Sequence, residues 1–139
     1  MSPESKRVAA CLCGQLSITV ESDPDIVIAC NCKACQRRSG SPFGVGAYFP
    51  HEKIAGITGE MSEFQRTAAS GRWVRGHFCP RCGTNVYWTL EMRPGLTGIA
   101  AGCFADPDFP KPARAIWTES AHGWISFPQD MPRFEKAAP

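Results

Sequence analysis

No apolar run in this chain approaches the length of a membrane-spanning helix. The N-terminal stretch Met1-Ser2-Pro3-Glu4-Ser5-Lys6-Arg7 lacks the apolar core of a secretory signal. Neither sign of charge predominates: 15 Lys and Arg stand against 13 Asp and Glu, a formal net charge of +2. That balance, with no concentrated basic stripe, argues against nucleic acid as a partner. There is no internal repeat, low-complexity tract or linker, so residues 1–139 read as a single domain. These absences place the chain in the cytoplasm and off the membrane. Thiols stay reduced there, which favours metals over disulfides as the explanation of its cysteines.

Glycine (13) and proline (12) are plentiful, and they point to many short strands and turns rather than long helices. Arg7 to Val20 reads as two short strands broken at Cys13-Gly14, with Leu16, Ile18 and Val20 alternating as in a half-buried strand. Ser22 to Asp25 is a turn, and Ile26 to Ala29 an apolar run. Lys33 to Ser39 fits one or two helical turns stopped by Gly40 and Pro42. Further strands are expected over Phe43–Phe49, Ile54–Ile57, Ser62–Thr67, Arg72–Phe78, Thr84–Leu90 and Thr97–Ala101. Ala115–Thr118 and Trp124–Phe127 are short apolar runs. The tail from Pro128 to Pro139 reads as irregular, with mobile last residues.

Seven of the eight cysteines fall into three clusters: Cys11-x-Cys13, Cys30-x-Cys32-x-x-Cys35 and Cys79-x-x-Cys82. This is metal-ligand spacing. Cys79-Pro80-Arg81-Cys82-Gly83 has the form of a zinc knuckle, in which Gly83 lets amide N–H groups approach the thiolates. Its partner pair is either Cys11 with Cys13 or a pair from the triplet. Pairing the two ends is simpler, because it strands no cysteine of the seven and leaves Cys30, Cys32 and Cys35 together. Three thiolates on Zn²⁺ carry a net charge of −1 and acidify water less than three histidines would. Such a site suits an incoming thiol better than metal-hydroxide hydrolysis. The competing reading is a second closed site completed by Cys103, which is otherwise a small core residue.

Cys11-Leu12-Cys13-Gly14, Cys30-Asn31-Cys32-Lys33-Ala34-Cys35-Gln36-Arg37, Phe78-Cys79-Pro80-Arg81-Cys82-Gly83-Thr84 and Ala101-Gly102-Cys103 closely resemble the glutathione-dependent formaldehyde-activating enzyme family, also called centromere-protein-V-like. Ser70-Gly71-Arg72 before Arg75 adds to the likeness, which runs from about residue 7 to about residue 128. The resemblance implies a mainly β chain with the β-tent zinc-binding fold: several small antiparallel sheets and few short helices. It implies two Zn²⁺ per chain. Cys11, Cys13, Cys79 and Cys82 would hold a structural zinc, and Cys30, Cys32 and Cys35 a catalytic-type zinc with an open position. It implies a carbon–sulfur lyase-type enzyme acting on adducts of a small thiol, glutathione or similar, with formaldehyde or another aldehyde. Asn31 stands where relatives frequently carry histidine. The alternative is a non-enzymatic module that binds a protein partner through a fold with two structural zincs. Self-association is compatible with either.

Arginine forks suit the two carboxylates of glutathione. Arg37 and Arg72 are the preferred contacts among Arg37, Arg38, Arg72, Arg75 and Arg81, because they flank different clusters. His51, His77 and His122 read first as structural, with His122, in a loop, the alternative candidate for lining the site. Trp73, Trp88, Trp117 and Trp124 read mostly as core, with one able to wall the thiol pocket. The amides of Ser39-Gly40-Ser41 are weaker candidates for facing a ligand.

Overall fold

A computed structural model describes residues 6–138. The N-terminal stretch read as lacking a signal falls almost wholly outside them. The chain is mainly β, as expected, and its strands form two sheets. β1 (Arg7–Ala10), β2 (Ser17–Val20) and β5 (Ile54–Thr58) make a three-stranded antiparallel sheet in the order β1-β2-β5. A seven-stranded sheet takes β3 (Ile26–Cys30), β4 (Gly44–Pro50), β6 (Ser62–Thr67), β7 (Trp73–Phe78), β8 (Asn85–Leu90), β9 (Leu96–Ala100) and β10 (Arg114–Ile116). Its order is β10-β3-β4-β9-β8-β7-β6.

One pairing departs from the all-antiparallel expectation. β10 lies parallel to β3, with Ile116 beside Cys30. Residues 31–113 separate β3 from β10, and only a long return of that kind, not a hairpin, lets two strands pair in parallel. The run Trp124–Phe127 forms no strand.

The one α-helix among the described residues, α1 (Lys33–Ser39), starts at Cys32, whose side chain caps it, and ends at Gly40 in the left-handed conformation (φ 66°). Ser39 Oγ donates back to the Cys35 carbonyl at 2.7 Å, the Gly40 amide to the Gln36 carbonyl at 2.8 Å, and the Ser41 amide to Ser39 Oγ at 3.2 Å. Those amides close the helix, so they are not free for a ligand.

Strand alternation gives the large sheet two different faces. On β4, Ala47 and Phe49 turn inward with Ile99 of β9, where they pack against Ile18 and Val20 of β2. Gly44, Gly46 and Tyr48 alternate to the other face, which lines a cavity. The C-terminal tail is irregular and is anchored as far as Lys136; Pro139, the end of the stretch expected to be mobile, lies outside the described residues. Met131 is buried, the Phe134 amide bonds the Ala115 carbonyl at 3.0 Å, and the Trp117 amide bonds the Lys136 carbonyl at 3.1 Å. β10 is an edge strand with free backbone groups, and the tail satisfies them.

Candidate metal centres

Cys11 and Cys13 lie in the β1–β2 connection, and Cys79 and Cys82 in the β7–β8 connection. Pairing brings these two loops together, and all four Sγ atoms lie within 4.8 Å of one another. Cys11 and Cys13 Sγ are 3.6 Å apart, Cys13 and Cys79 Sγ 3.8 Å. A tetrahedral zinc with Zn–S bonds of about 2.3 Å spaces its sulfurs at about 3.8 Å. The donor set therefore fits a four-thiolate zinc. Both loops turn through a glycine of positive φ, Gly14 (85°) and Gly83 (79°). That conformation aims amides at sulfur: Leu16 N–H at Cys11 Sγ (3.3 Å), Arg81 and Cys82 N–H at Cys79 Sγ (3.3 and 3.4 Å).

Two residues that the sequence left unremarked tie the loops together. Thr84 Oγ1 accepts the Leu12 amide at 3.1 Å and stands 3.3 Å from Cys82 Sγ. Its hydroxyl, followed by the Cys13 amide, holds the Cys82 thiol down to about 5. Gln15 Nε2 donates to Cys79 Sγ at 3.0 Å and to the Glu60 carbonyl at 2.8 Å, while its Oε1 accepts the Glu60 amide at 2.8 Å. Its position directly after Cys-x-Cys-Gly was the available signal. Gln15→Leu is expected to weaken zinc binding about 10–100-fold, as loss of an outer-shell partner does. A chelator-competition titration reads that change, and an unaltered affinity would show Gln15 to be only a loop tether.

Cys30, Cys32 and Cys35 form the second cluster, with their Sγ atoms again within 4.8 Å. Cys30 ends β3, Cys32 caps α1 and Cys35 lies in its first turn. Hydrogen bonds from the Cys30 and Cys35 thiols, joined by the Cys35 amide at 3.3 Å, hold Cys32 down to about 2. Cys30 is pushed up, first because its thiol serves Cys32 and Cys35, then by burial. No fourth Cys, His, Asp or Glu joins the trio among the described residues. Cys103 does not close it: its thiol faces the Asn85 carbonyl at 3.7 Å and packs against the core. The set matches a zinc with three protein thiolates.

Asn31 and Gln36 hold the trio's frame. Asn31 is fully buried and gives both its backbone N–H and its Nδ2 to the Ile116 carbonyl, each at 3.0 Å. Gln36 Nε2 reaches the Asn31 carbonyl (2.9 Å) and the Ser120 carbonyl (3.0 Å). His122 Nε2 lies 3.2 Å from Gln36 Oε1, so this histidine supports the frame and does not line the cavity. His77 stacks on Tyr87 with ring centres 4.4 Å apart, and burial lowers its pKa. That is a structural role, as read.

The trio opens into a cavity of about 1020 Å³ on the second face of the large sheet. Among the described residues, four cationic side chains line it, Lys33, Arg37, Arg38 and Arg66, and no Asp or Glu does. Arg37 lines the cavity; Arg72 does not, being exposed just before β7, while the preceding turn, Ala68 to Ser70, lines it. Arg66 takes that part because it shares a face of β6 with Phe64, two residues away. Arg38 stands one helical turn from Cys35 and lies over the Trp88 ring at 4.4 Å. Arg75 and Arg81 are engaged elsewhere, with Gln65 and Glu60 at 2.9 and 2.7 Å. Trp88 and Trp117 wall the cavity, whereas Trp124 is 73% exposed.

Fold and site together define a small β protein with two cysteine clusters that could hold metal ions, one of four thiols and one of three facing a cavity. The sequence pattern described as "Glutathione-dependent formaldehyde-activating enzyme" matches residues 6–120, and the chain belongs to that family. A crystal structure of a Rhodobacter sphaeroides protein, a structural-genomics target, is similar in fold. Its TM-score is 0.54 at 17% identity, covering 72% of this chain and 91% of the other. No helix among the described residues is long and apolar enough to cross a membrane.

Proposed function

We propose that this chain joins a small thiol, glutathione or similar, to an aldehyde and releases it again, a carbon–sulfur lyase-type reaction. The carrying observation is the three-cysteine trio at a cavity that, among the described residues, is lined by four cations and no Asp or Glu. Family membership supports the same substrates. Zinc held by Cys30, Cys32 and Cys35 would keep an incoming sulfur deprotonated at neutral pH.

The chain's own residues then have separate tasks. Lys33 and Arg37 on α1 and Arg66 on β6 face the cavity from two sides and can grip the thiol's two carboxylates. Arg38 lies over the Trp88 ring at 4.4 Å and is a cation within electrostatic reach of Cys35. The sulfur forms its bond to the carbonyl carbon, and the C=O electron pair moves onto oxygen. That oxygen takes a proton from a cavity donor, for which Tyr48 is best placed. Release runs the same steps backward, with no oxidant or reductant.

Glutathione binding to the zinc-loaded protein, followed by calorimetry, tests the reading. Arg66→Ala is expected to weaken it about tenfold, the loss of one charge-assisted contact. Cys32→Ser is expected to abolish it while the circular-dichroism spectrum stays that of the parent. Unchanged affinity in the Cys32 variant would sink the proposal.

A further inference from the structure

The cavity is larger and more apolar than a glutathione–formaldehyde adduct requires. Pockets for drug-sized ligands run about 300–1,000 Å³, and this one, at about 1020 Å³, lies beyond that span. Formaldehyde adds one carbon and one oxygen to the thiol. Glutathione is itself strongly polar, and its charges match the cations near α1. The opposite wall has no counterpart in such an adduct.

That wall is built by register. Phe64 on β6 pairs with Gly76 on β7, and Gly76 pairs with Trp88 on β8. Phe64, Gly76 and Trp88 all line the cavity. The two aromatic residues are therefore rooted two strands apart, about 10 Å at the backbone, with a glycine between them, and the Trp88 ring leans away over Gly98 and Gly46, which leaves the surface above Gly76 uncovered. A Cβ at Gly76 would meet nothing nearer than the Phe64 carbonyl oxygen at 3.7 Å, so the space above Gly76 is open. The next row continues the slot: Val74 pairs with Leu90, and both also line the cavity. At the rim, Phe64 is 66% and Met92 55% exposed, an unusual cost for large apolar side chains beside a cavity.

We infer that the aldehyde handled here carries a bulky apolar group, aromatic or branched aliphatic, which seats over Gly76 between Phe64 and Trp88. This rests on the thiol–aldehyde reading above and names its substrate class. The chemistry balances as before: the C–S bond forms, the carbonyl π pair becomes the adduct's hydroxyl oxygen, and one proton moves from thiol to that oxygen. The slot contributes binding of the group beyond the carbonyl carbon, where formaldehyde has only hydrogen.

Stable conjugates test it on the zinc-loaded protein. S-benzylglutathione is expected to bind at least about tenfold more tightly than S-methylglutathione by calorimetry, the gain from burying a phenyl ring. Gly76→Val fills the slot with a residue that strands favour, and should bring that ratio close to one. Equal affinities in the parent protein, or an unchanged ratio in Gly76→Val, would overturn the inference while leaving the thiol reading intact. If neither glutathione nor either conjugate binds, both fall together. Sedimentation adds a further check: a dimer that Phe64→Asp splits would assign the apolar rim to a second copy of the chain and overturn the slot.

Discussion

Cys79→Ser is expected to abolish cooperative folding at 37 °C, whereas Cys32→Ser is expected to melt within about 5 °C of the parent. The two clusters differ in what they hold. Cys11 and Cys82 sit at the tips of hairpins from different sheets, and the four-thiolate cluster ties those sheets together across 71 residues of sequence. Cys79 is fully buried, accepts Gln15 Nε2 and belongs to the main core cluster. Structural zinc sites in small peptides contribute about 10–16 kcal/mol in apparent terms, while whole domains are stable by only about 5–15 kcal/mol. Removing one ligand of such a site can therefore take most of the folding free energy. Cys32 instead caps a seven-residue helix on the cavity wall, away from the core. Its loss costs one cap, about 1 kcal/mol, and one metal. Thermal melts with metal analysis separate the cases. A Cys79 variant that still melts cooperatively near the parent temperature would remove the structural role of that cluster.

The division of the cysteines was legible because thiolate spacing is a local property of the chain. The same holds for the strands, where period-two alternation at Leu16, Ile18 and Val20 marked the inward face. What escaped was set by pairing between distant segments. Arg72 lies next to a cysteine cluster in sequence, yet Arg66 reaches the cavity, because cross-strand register decides which side chains share a face. β10 could not be assigned a partner from three residues, since its parallel place beside Cys30 depends on the chain's return path. The anchoring of the tail escaped because its bonds are made by backbone atoms, to which composition is blind. Gln15 was passed over for a related reason: a neutral amide carries no signature until the sulfur it serves is placed.

Tyr48→Phe is expected to slow adduct formation and breakdown about 10²–10⁴-fold while KM for the thiol changes little. Tyr48 lies on the cavity face of β4, within electrostatic reach of Cys35 and Cys30. Burial pushes its phenol up, so it remains a neutral O–H donor through neutral pH. Trp88 Nε1 donates to the phenol oxygen at 3.3 Å in an edge-to-face pair at 79°. With its oxygen so engaged as acceptor, the hydroxyl hydrogen is left to face the cavity, where an adduct's oxygen would develop charge. The surroundings fix this geometry. Gly46 leaves room for the Trp88 ring, since a Cβ there would come within 2.7 Å of it, and Arg38 covers the ring at 4.4 Å. The sign of the pH dependence follows. A phenol raised above its ordinary value near 10 keeps its proton as pH climbs, so the parent rate should not fall from Tyr48 ionisation until more alkaline pH. The phenylalanine variant should lack that alkaline limb altogether. Exchange spectroscopy between free thiol and its adduct, run across pH with parent and variant, reads both effects, and a variant that exchanges at the parent rate would remove Tyr48 from the proton transfer.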